Sequence, residues 1–200
     1  MVNLVPFFRF YQFTHGIRML KKGYTAARDS LEAEIKGTQA KAAAYQEHLA
    51  NGGERICEYD ADGYLLWEQS QVYDIEIEDA RKAIFEIRKA LVIALYHHWE
   101  HSAASWKGSD ASHGKLAEFC IEEGYGPSPD LSAVQYLVNY LKHGSNSRTD
   151  WLKRLRNEYP CFLTQLPGNE LRLSEVDLDR VAAAIEATGP SSPAIIVEKQ

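Results

Sequence analysis

The hydrophobic pattern of the chain is helical along most of its 200 residues. Between Tyr24 and Leu49, apolar side chains recur every three or four positions, and only Gly37 interrupts them. This spacing predicts a helix that packs a narrow apolar seam against a second helix. The seam consists of Leu31, Ile35, Thr38, Ala42, Tyr45 and Leu49.

Glycine and proline mark the expected ends of this helix. Gly52 and Gly53 follow it and are expected to stop it. Pro6 and Gly16 are expected to separate a short N-terminal segment from it.

A second long helix is predicted over about residues 72–106, and its middle, "KALVIALY", is apolar almost all the way round. Such a segment is expected to be the most buried helix of the fold. At 100° per residue, His98 points to the same side as Leu91, toward the core. His97 and Glu100 continue a more polar stripe.

The remaining elements are short. "ERICEYDADGYLLWEQ" predicts a β-hairpin around residues 60–63, whose D-x-D-G fragment lacks the other ligands of a calcium loop. Helices are predicted over residues 109–123, 129–143, 150–159 and 174–187, the last with a capping-box-like start at Ser174 and Asp177. A second hairpin is expected around residues 167–169, and residues 190–200 are expected to be a flexible tail.

Together these elements predict an all-α fold. We expect a helical bundle with two long antiparallel helices, shorter C-terminal helices and small β-hairpin elaborations. Residues 1–189 are expected to form a single domain.

Composition narrows the function classes. Apolar content of 45% and charged content of 25% are typical of a globular protein, and no stretch is apolar enough for a membrane helix. Cys57, Cys120 and Cys161 are widely spaced, which favours reduced thiols and a cytoplasmic location. The net charge of −6 argues against a general nucleic-acid coat protein, but it leaves room for a local basic patch.

The segment "ALYHHWEH" contains His97-x-x-Glu100-His101, the H-x-x-E-H pattern of inverted zinc proteases. Two histidines four positions apart on a helix can share one metal ion. Catalysis also needs a third protein ligand, and no later segment offers a recognisable one. The alternative is that these residues line the polar face of a bundle, so no metal or other cofactor is expected.

A second candidate site lies in "AVQYLVNYLKHGSNSRTDWLKRLRNEYPCFL". Gln135, Asn139, Lys142 and His143 share the polar side of one helix. His143 lies in the last helical turn, where the carbonyl end of the helix favours its protonated form. A run of basic residues follows against a single acid, which suits phosphate binding, although a solvated helix face would have the same composition. The basic residues are Lys142, Arg148, Lys153, Arg154 and Arg156.

These two segments together resemble the HEPN superfamily, over roughly residues 72–160. Its members are small all-α bundles found in bacterial toxins, abortive-infection proteins and RNA-cutting defence enzymes. The family pattern is Arg, a polar residue that is often Asn, three more positions, and His. In this chain the pattern falls on Val138, Asn139 and His143, so the Asn and His match and the Arg does not.

The resemblance implies a metal-independent endoribonuclease site assembled from two subunits. His143 would carry out acid–base chemistry on the ribose 2′-hydroxyl, and the missing Arg would otherwise bind the phosphate. That role would pass to Lys142 or Arg148, or the activity is absent. Glu100 would face His143 and adjust its charge, with His97 and His98 as neighbours.

Two functions therefore stay open. The first is a toxin-type or defence protein that binds or cuts RNA. The second is a non-catalytic relative that serves as a structural or partner-binding bundle. The expected partners are a second copy of the chain, RNA, and an antitoxin or other defence-operon protein. The homodimer is expected because Tyr136 and Tyr140 add exposed aromatic surface to the polar helix face.

Overall fold

The structure is a computed structural model that describes residues 5–144, 150–165 and 171–191. The described part is all-α with one small β-hairpin, which confirms the predicted fold class. The helices are α1 (Val5–Ala50), α2 (Gln69–Lys107), α3 (His113–Glu122), α4 (Leu131–His143), α5 (Trp151–Glu158) and α6 (Glu175–Glu186); the strands are β1 (Cys57–Tyr59) and β2 (Leu65–Glu68).

The chain packs as two compact units. The main unit comprises Met1–Gly23 and Arg88–Gln200, and the hairpin unit comprises Tyr24–Ile87. The boundary between them falls inside α1 and α2 and not in a linker. The single domain predicted for residues 1–189 stays a prediction.

Two antiparallel helical segments and the β-hairpin build the hairpin unit. The Tyr45 ring packs edge-on against Tyr73, with centroids 6.2 Å apart. Nearer the start of α1, Thr38 Oγ1 lies 3.4 Å from Glu76 Oε2 on α2. Since contacts farther along α1 meet earlier residues of α2, the segments run antiparallel. The predicted seam of α1 is the side that is covered, and this confirms its heptad pattern.

The turn of the β-hairpin is formed by Asp60. Its Oδ1 accepts hydrogen bonds from the backbone N–H groups of Asp62 at 3.0 Å and Tyr64 at 2.7 Å. Gly63 has a φ of +84°, which L side chains rarely adopt. This confirms that the D-x-D-G fragment is a turn, with Asp60 bound to backbone groups.

The predicted break between an N-terminal segment and the first helix is wrong, because α1 runs without interruption from Val5. Pro6 occupies the first turn, where no intrahelical N–H donor is needed. Gly16 lies within the helix against the imidazole of His98, and any β-carbon at this position would overlap that ring. The glycine is needed for packing and does not end the helix.

The core of the main unit surrounds α2. Leu95 and Trp99 are completely buried, and Leu137 of α4 and Ile185 of α6 are buried with no exposed surface. In the apolar run of α2, Leu91, Val92, Leu95 and Tyr96 are buried but Ala90 is exposed, so the run is covered on one side and not all the way round. In the described ranges, no helix combines the length and apolar character needed to cross a membrane.

The start of α6 is held by the predicted capping box. The Ser174 side chain accepts from the N–H of Asp177, and the Asp177 carboxylate accepts from the N–H of Ser174. The fully buried carboxylate also accepts from the Thr164 N–H at 2.7 Å. The turn of the predicted second hairpin falls on residues 166–170, outside the described residues, and the flanking residues that are described form no strand. Pro190 is buried, while residues 192–200 of the predicted tail also lie outside the described part.

Candidate functional site

A cluster of polar side chains joins α2 to the start of α3 and the end of α4. We call it the Glu100 cluster, and it consists of Tyr96, His97, Glu100, His113 and Lys142. All five belong to the main unit. Three are on α2, where Glu100 follows Tyr96 by four positions and His97 by three, a spacing that places its side chain next to both.

On its exposed side the cluster contains a histidine held by a carboxylate. His97 Nδ1 lies 2.8 Å from Glu100 Oε2. Lys142 Nζ lies 3.5 Å from the other ring nitrogen, His97 Nε2. The side chains of His97 and Glu100 are 46% and 30% exposed, so solvent reaches both groups. A carboxylate on Nδ1 favours the tautomer whose lone pair is on Nε2, the nitrogen that faces Lys142.

On its inner side the cluster contains a tyrosine–histidine pair. Tyr96 Oη lies 2.8 Å from His113 Nδ1, and the two rings stack with centroids 5.9 Å apart. Burial raises the pKa of the Tyr96 hydroxyl above its usual range, and the negative charge of Glu100 adds to the rise. Burial lowers the pKa of His113, with Glu100 opposing the shift. Both shifts favour the uncharged forms of the two side chains.

His113 is the first residue of α3, where the positive end of the helix also disfavours an imidazolium. Sequence reasoning missed His113 and treated Tyr96 only as a packing residue. One signal was present, because Tyr96 and Glu100 are four positions apart on the same helix. The sequence near His113 contained no signal that it pairs with Tyr96, because the two residues are on different helices, 17 positions apart.

The HEPN-like motif positions lie in the second half of α4, and His143 directly follows Lys142 of the Glu100 cluster. His143 is exposed in the last helical turn, and Asn139 is half-buried. Gly144 ends the helix with a φ of +62°, as predicted. Within the described residues, no hydrogen bond or ion pair joins His143 to Glu100. The histidine partner of Glu100 is His97 on its own helix, and not His143 as the sequence suggested.

His98 faces the core, as its helical position predicted. Its Nε2 lies 2.9 Å from the backbone oxygen of Phe13 on α1, and its ring stacks on the Phe13 ring with centroids 5.3 Å apart. These contacts keep His98 out of the Glu100 cluster. Its role is to join α1 to α2.

The structure describes only part of the predicted basic patch after α4. Arg154 lies over the rings of Tyr136 and Trp151, 5.8 Å from each centroid. Lys153 is exposed and Arg156 is half-buried. Arg148 lies outside the described residues.

Tyr136 is not the exposed aromatic that the sequence suggested. Its ring lies 5.7 Å from that of Trp151 and 6.0 Å from that of Tyr159, and its hydroxyl donates to Glu158 at 2.9 Å. The side chain is covered by α5 and the residue that follows it. Tyr136 therefore does not support the argument for a dimer, and Tyr140 is itself only half-exposed.

The two histidines of the H-x-x-E-H segment have different surroundings. His97 is bound to Glu100, and His101 is exposed one turn later. Among the residues that the structure describes, no group of three or more His, Cys, Asp or Glu side chains is placed to hold a metal ion. What the arrangement offers is an exposed imidazole between a carboxylate and an ammonium group.

Comparison with known proteins finds no family model, no curated protein and no solved structure that matches the chain. The resemblance to the HEPN superfamily therefore stays a prediction. Any function has to be argued from the geometry of the Glu100 cluster.

Proposed function

We propose that the protein binds and cleaves RNA by metal-independent acid–base chemistry at His97. One observation carries the proposal: the exposed His97 ring is held by Glu100 at Nδ1 and faces Lys142 at Nε2. A base held by a carboxylate beside a fixed cation is the combination that phosphodiester transfer requires. The HEPN-like segments contribute the choice of RNA as the substrate.

In the proposed reaction, His97 Nε2 takes the proton of a ribose 2′-hydroxyl. The 2′-oxygen then forms a bond to the adjacent phosphorus, and the bond from phosphorus to the 5′-oxygen breaks. The leaving oxygen takes a proton from solvent, which gives a 2′,3′-cyclic phosphate and a free 5′-hydroxyl. Lys142 stabilises the charge on the phosphate oxygens, the role that the family assigns to the missing Arg.

The net charge of the chain does not oppose this proposal. The main unit contains 16 Lys and Arg against 14 Asp and Glu, a net of +2. The negative charge lies in the hairpin unit, so an RNA at the Glu100 cluster meets a weakly basic unit. The three free cysteines favour the cytoplasm as the place of action.

A second candidate function is the non-catalytic one, in which the bundle binds a partner such as a second copy or an antitoxin. One observation favours it. Val138, at the position of the family Arg, is buried in the core with 1% of its surface exposed. A side chain at position 138 points into the core and cannot reach a phosphate. The motif at residues 138–143 therefore lacks the cation that the family has at its first position.

The test uses purified full-length protein, a labelled single-stranded RNA, and the same strand with 2′-deoxyriboses, in the presence of a chelator. We expect cleavage of the RNA and none of the deoxy strand, because the nucleophile is absent from the latter. His97→Ala should lower the cleavage rate by roughly 10²–10⁴, the usual contribution of a general base. Lys142→Ala should lower it and also weaken binding of the deoxy strand.

His101→Ala is the matched control, since His101 is an exposed histidine one turn from His97 on the same helix. It should cleave like the wild type. Loss of cleavage in His143→Ala but not in His97→Ala would move the reaction to the motif histidine and refute the proposed base. Absence of both cleavage and RNA binding in a folded wild type would leave the partner-binding function.

A further inference from the structure

The acidic charge of the chain is concentrated in the hairpin unit. Tyr24–Ile87 contains six Lys and Arg against 14 Asp and Glu, a net of −8, whereas the rest of the chain has a net of +2. The two values account for the overall charge of −6. The hairpin unit therefore has an electrostatic character of its own.

The end of this unit is apolar. Six large hydrophobic side chains on and beside the β-hairpin are exposed, and Tyr64 at the turn is 72% exposed. Leu65 and Trp67 share one face of β2 by alternation, and Tyr59 lies opposite Leu65 in the ladder. By the same alternation Leu66 lies on the opposite face, so the hairpin exposes apolar side chains on both faces. Large exposed apolar patches mark interaction sites in proteins. The six residues, which we call the apolar tip, are Ile56, Tyr59, Tyr64, Leu65, Leu66 and Trp67.

Acidic side chains surround the apolar tip. Residues 54–68 contain five Asp and Glu and a single base, Arg55, which is paired with Glu68 at 3.0 Å. Glu58 lies on the same face as Trp67 and accepts from its Nε1 at 2.7 Å. An apolar centre with a charged rim has the anatomy of a protein–protein interface.

The hairpin is held in place at its base. The backbone N–H of Ile56 donates to the hydroxyl of Tyr45 on α1 at 2.9 Å. The backbone N–H of Gln69, the first residue of α2, donates to the oxygen of Ile56 at 3.0 Å. A partner would therefore meet a preformed element, and ordering it would cost little.

We propose that the apolar tip docks into an apolar groove on a basic protein partner. Charge decides between the possible occupants. A second copy would bring a net of −8 against −8, and nucleic acid or an anionic membrane would be repelled in the same way. A cationic protein with an apolar groove would attract the acidic rim and would bury the apolar centre. This inference rests on the hairpin unit alone and is independent of the proposed function of the Glu100 cluster.

The test measures binding of the full-length protein to amphipathic helical peptides of ~18 residues, about five turns. One peptide is made of Leu and Lys, the second of Leu and Glu, and the third of Ser and Lys. We expect binding to the Leu–Lys peptide only, weakened by raising salt from about 0.05 to 0.5 M, because screening removes the attraction of the rim. Fluorescence anisotropy of labelled peptides gives the affinities.

Tyr64→Ser combined with Leu66→Ser should weaken binding of the Leu–Lys peptide by roughly tenfold or more, as loss of central interface residues does. Ile75→Ser is the matched control, because Ile75 is 60% exposed in the same unit but lies on α2, outside the hairpin. It should bind like the wild type. Equal binding by the tip variant, equal binding of the Leu–Glu peptide, or tighter binding to neutral lipid vesicles than to the Leu–Lys peptide would overturn the proposal.

Discussion

The contact between Gly16 and His98 gives the sharpest test of how α1 packs on α2. The His98 ring lies over the glycine, stacked within 11° of parallel on the Phe13 ring and bonded to the Phe13 oxygen. Gly16→Ala should therefore do two opposite things. It adds the helix propensity of alanine, and it forces the imidazole out of its place.

The size of each effect decides whether Gly16→Ala raises or lowers the free energy of unfolding. Alanine in place of glycine within a helix favours folding by about 1 kcal/mol. Displacing His98 costs about 1 kcal/mol for the hydrogen bond and roughly 0.5–1.5 kcal/mol for the ring stack, with overpacking of about 1–3 kcal/mol in addition. Together these terms predict that Gly16→Ala destabilises the protein by about 1.5–4.5 kcal/mol. His98→Ala alone should cost about 1–3 kcal/mol.

In the His98→Ala background the obstacle to a β-carbon is gone. Gly16→Ala should then stabilise the protein by up to about 1 kcal/mol, so its effect changes sign. Urea unfolding followed by circular dichroism gives the four free energies of this double-mutant cycle. Gly23→Ala is the matched control, because no atom lies near a β-carbon at that position of the same helix, and it should stabilise in both backgrounds. If Gly16→Ala stabilises the wild type as Gly23→Ala does, the packing described here is wrong.

Two further predictions follow from the buried groups. Because burial lowers the pKa of His113, the unfolded chain takes up a proton more readily, so stability should fall as the pH drops below about 6.5. His113→Asn should reduce this loss in urea unfolding between about pH 7.5 and 5.5, and an unchanged slope would contradict the assignment. Val138→Arg, which restores the family motif in sequence, should lower stability by about 3–5 kcal/mol, because it places an unpaired charge in the core. Asn139→Arg, at a half-exposed position, should fold normally, and equal melting temperatures of the two variants would show that residue 138 is not buried.

The elements that sequence predicted correctly depend on local interactions. The seam of α1 follows from the period of its apolar residues, and the start of α6 follows from Ser174 and Asp177, which satisfy each other's backbone groups. Gly144 ends α4 because it adopts a positive φ, which glycine does at no steric cost. Each of these features needs only residues within a few positions of one another.

The predictions that were wrong depend on contacts between residues far apart in the chain. Gly16 was expected to break α1 because the ring that makes it necessary belongs to a helix far along the chain. The partner of Glu100 depends on how α2 and α4 are rotated, and a helical wheel of each alone does not fix that. Tyr136 was expected to be exposed because the residues that cover it, in and after α5, lie 15 or more positions later in the chain. Such packing becomes visible only when the helices are assembled.

Net charge is a sum, and here the sum conceals the property that matters for binding. A value of −6 for the whole chain argued against a general nucleic-acid coat protein, yet the unit with the Glu100 cluster has a net of +2 and the hairpin unit a net of −8. The boundary between these units lies within two continuous helices, with no linker or change of element to mark it in the sequence. Since the field at a site is set by charges within about a Debye length, roughly 10 Å, each unit presents its own charge to a partner. The two proposals, RNA at the Glu100 cluster and a basic protein at the apolar tip, are therefore compatible, because each depends on the charge of a different unit.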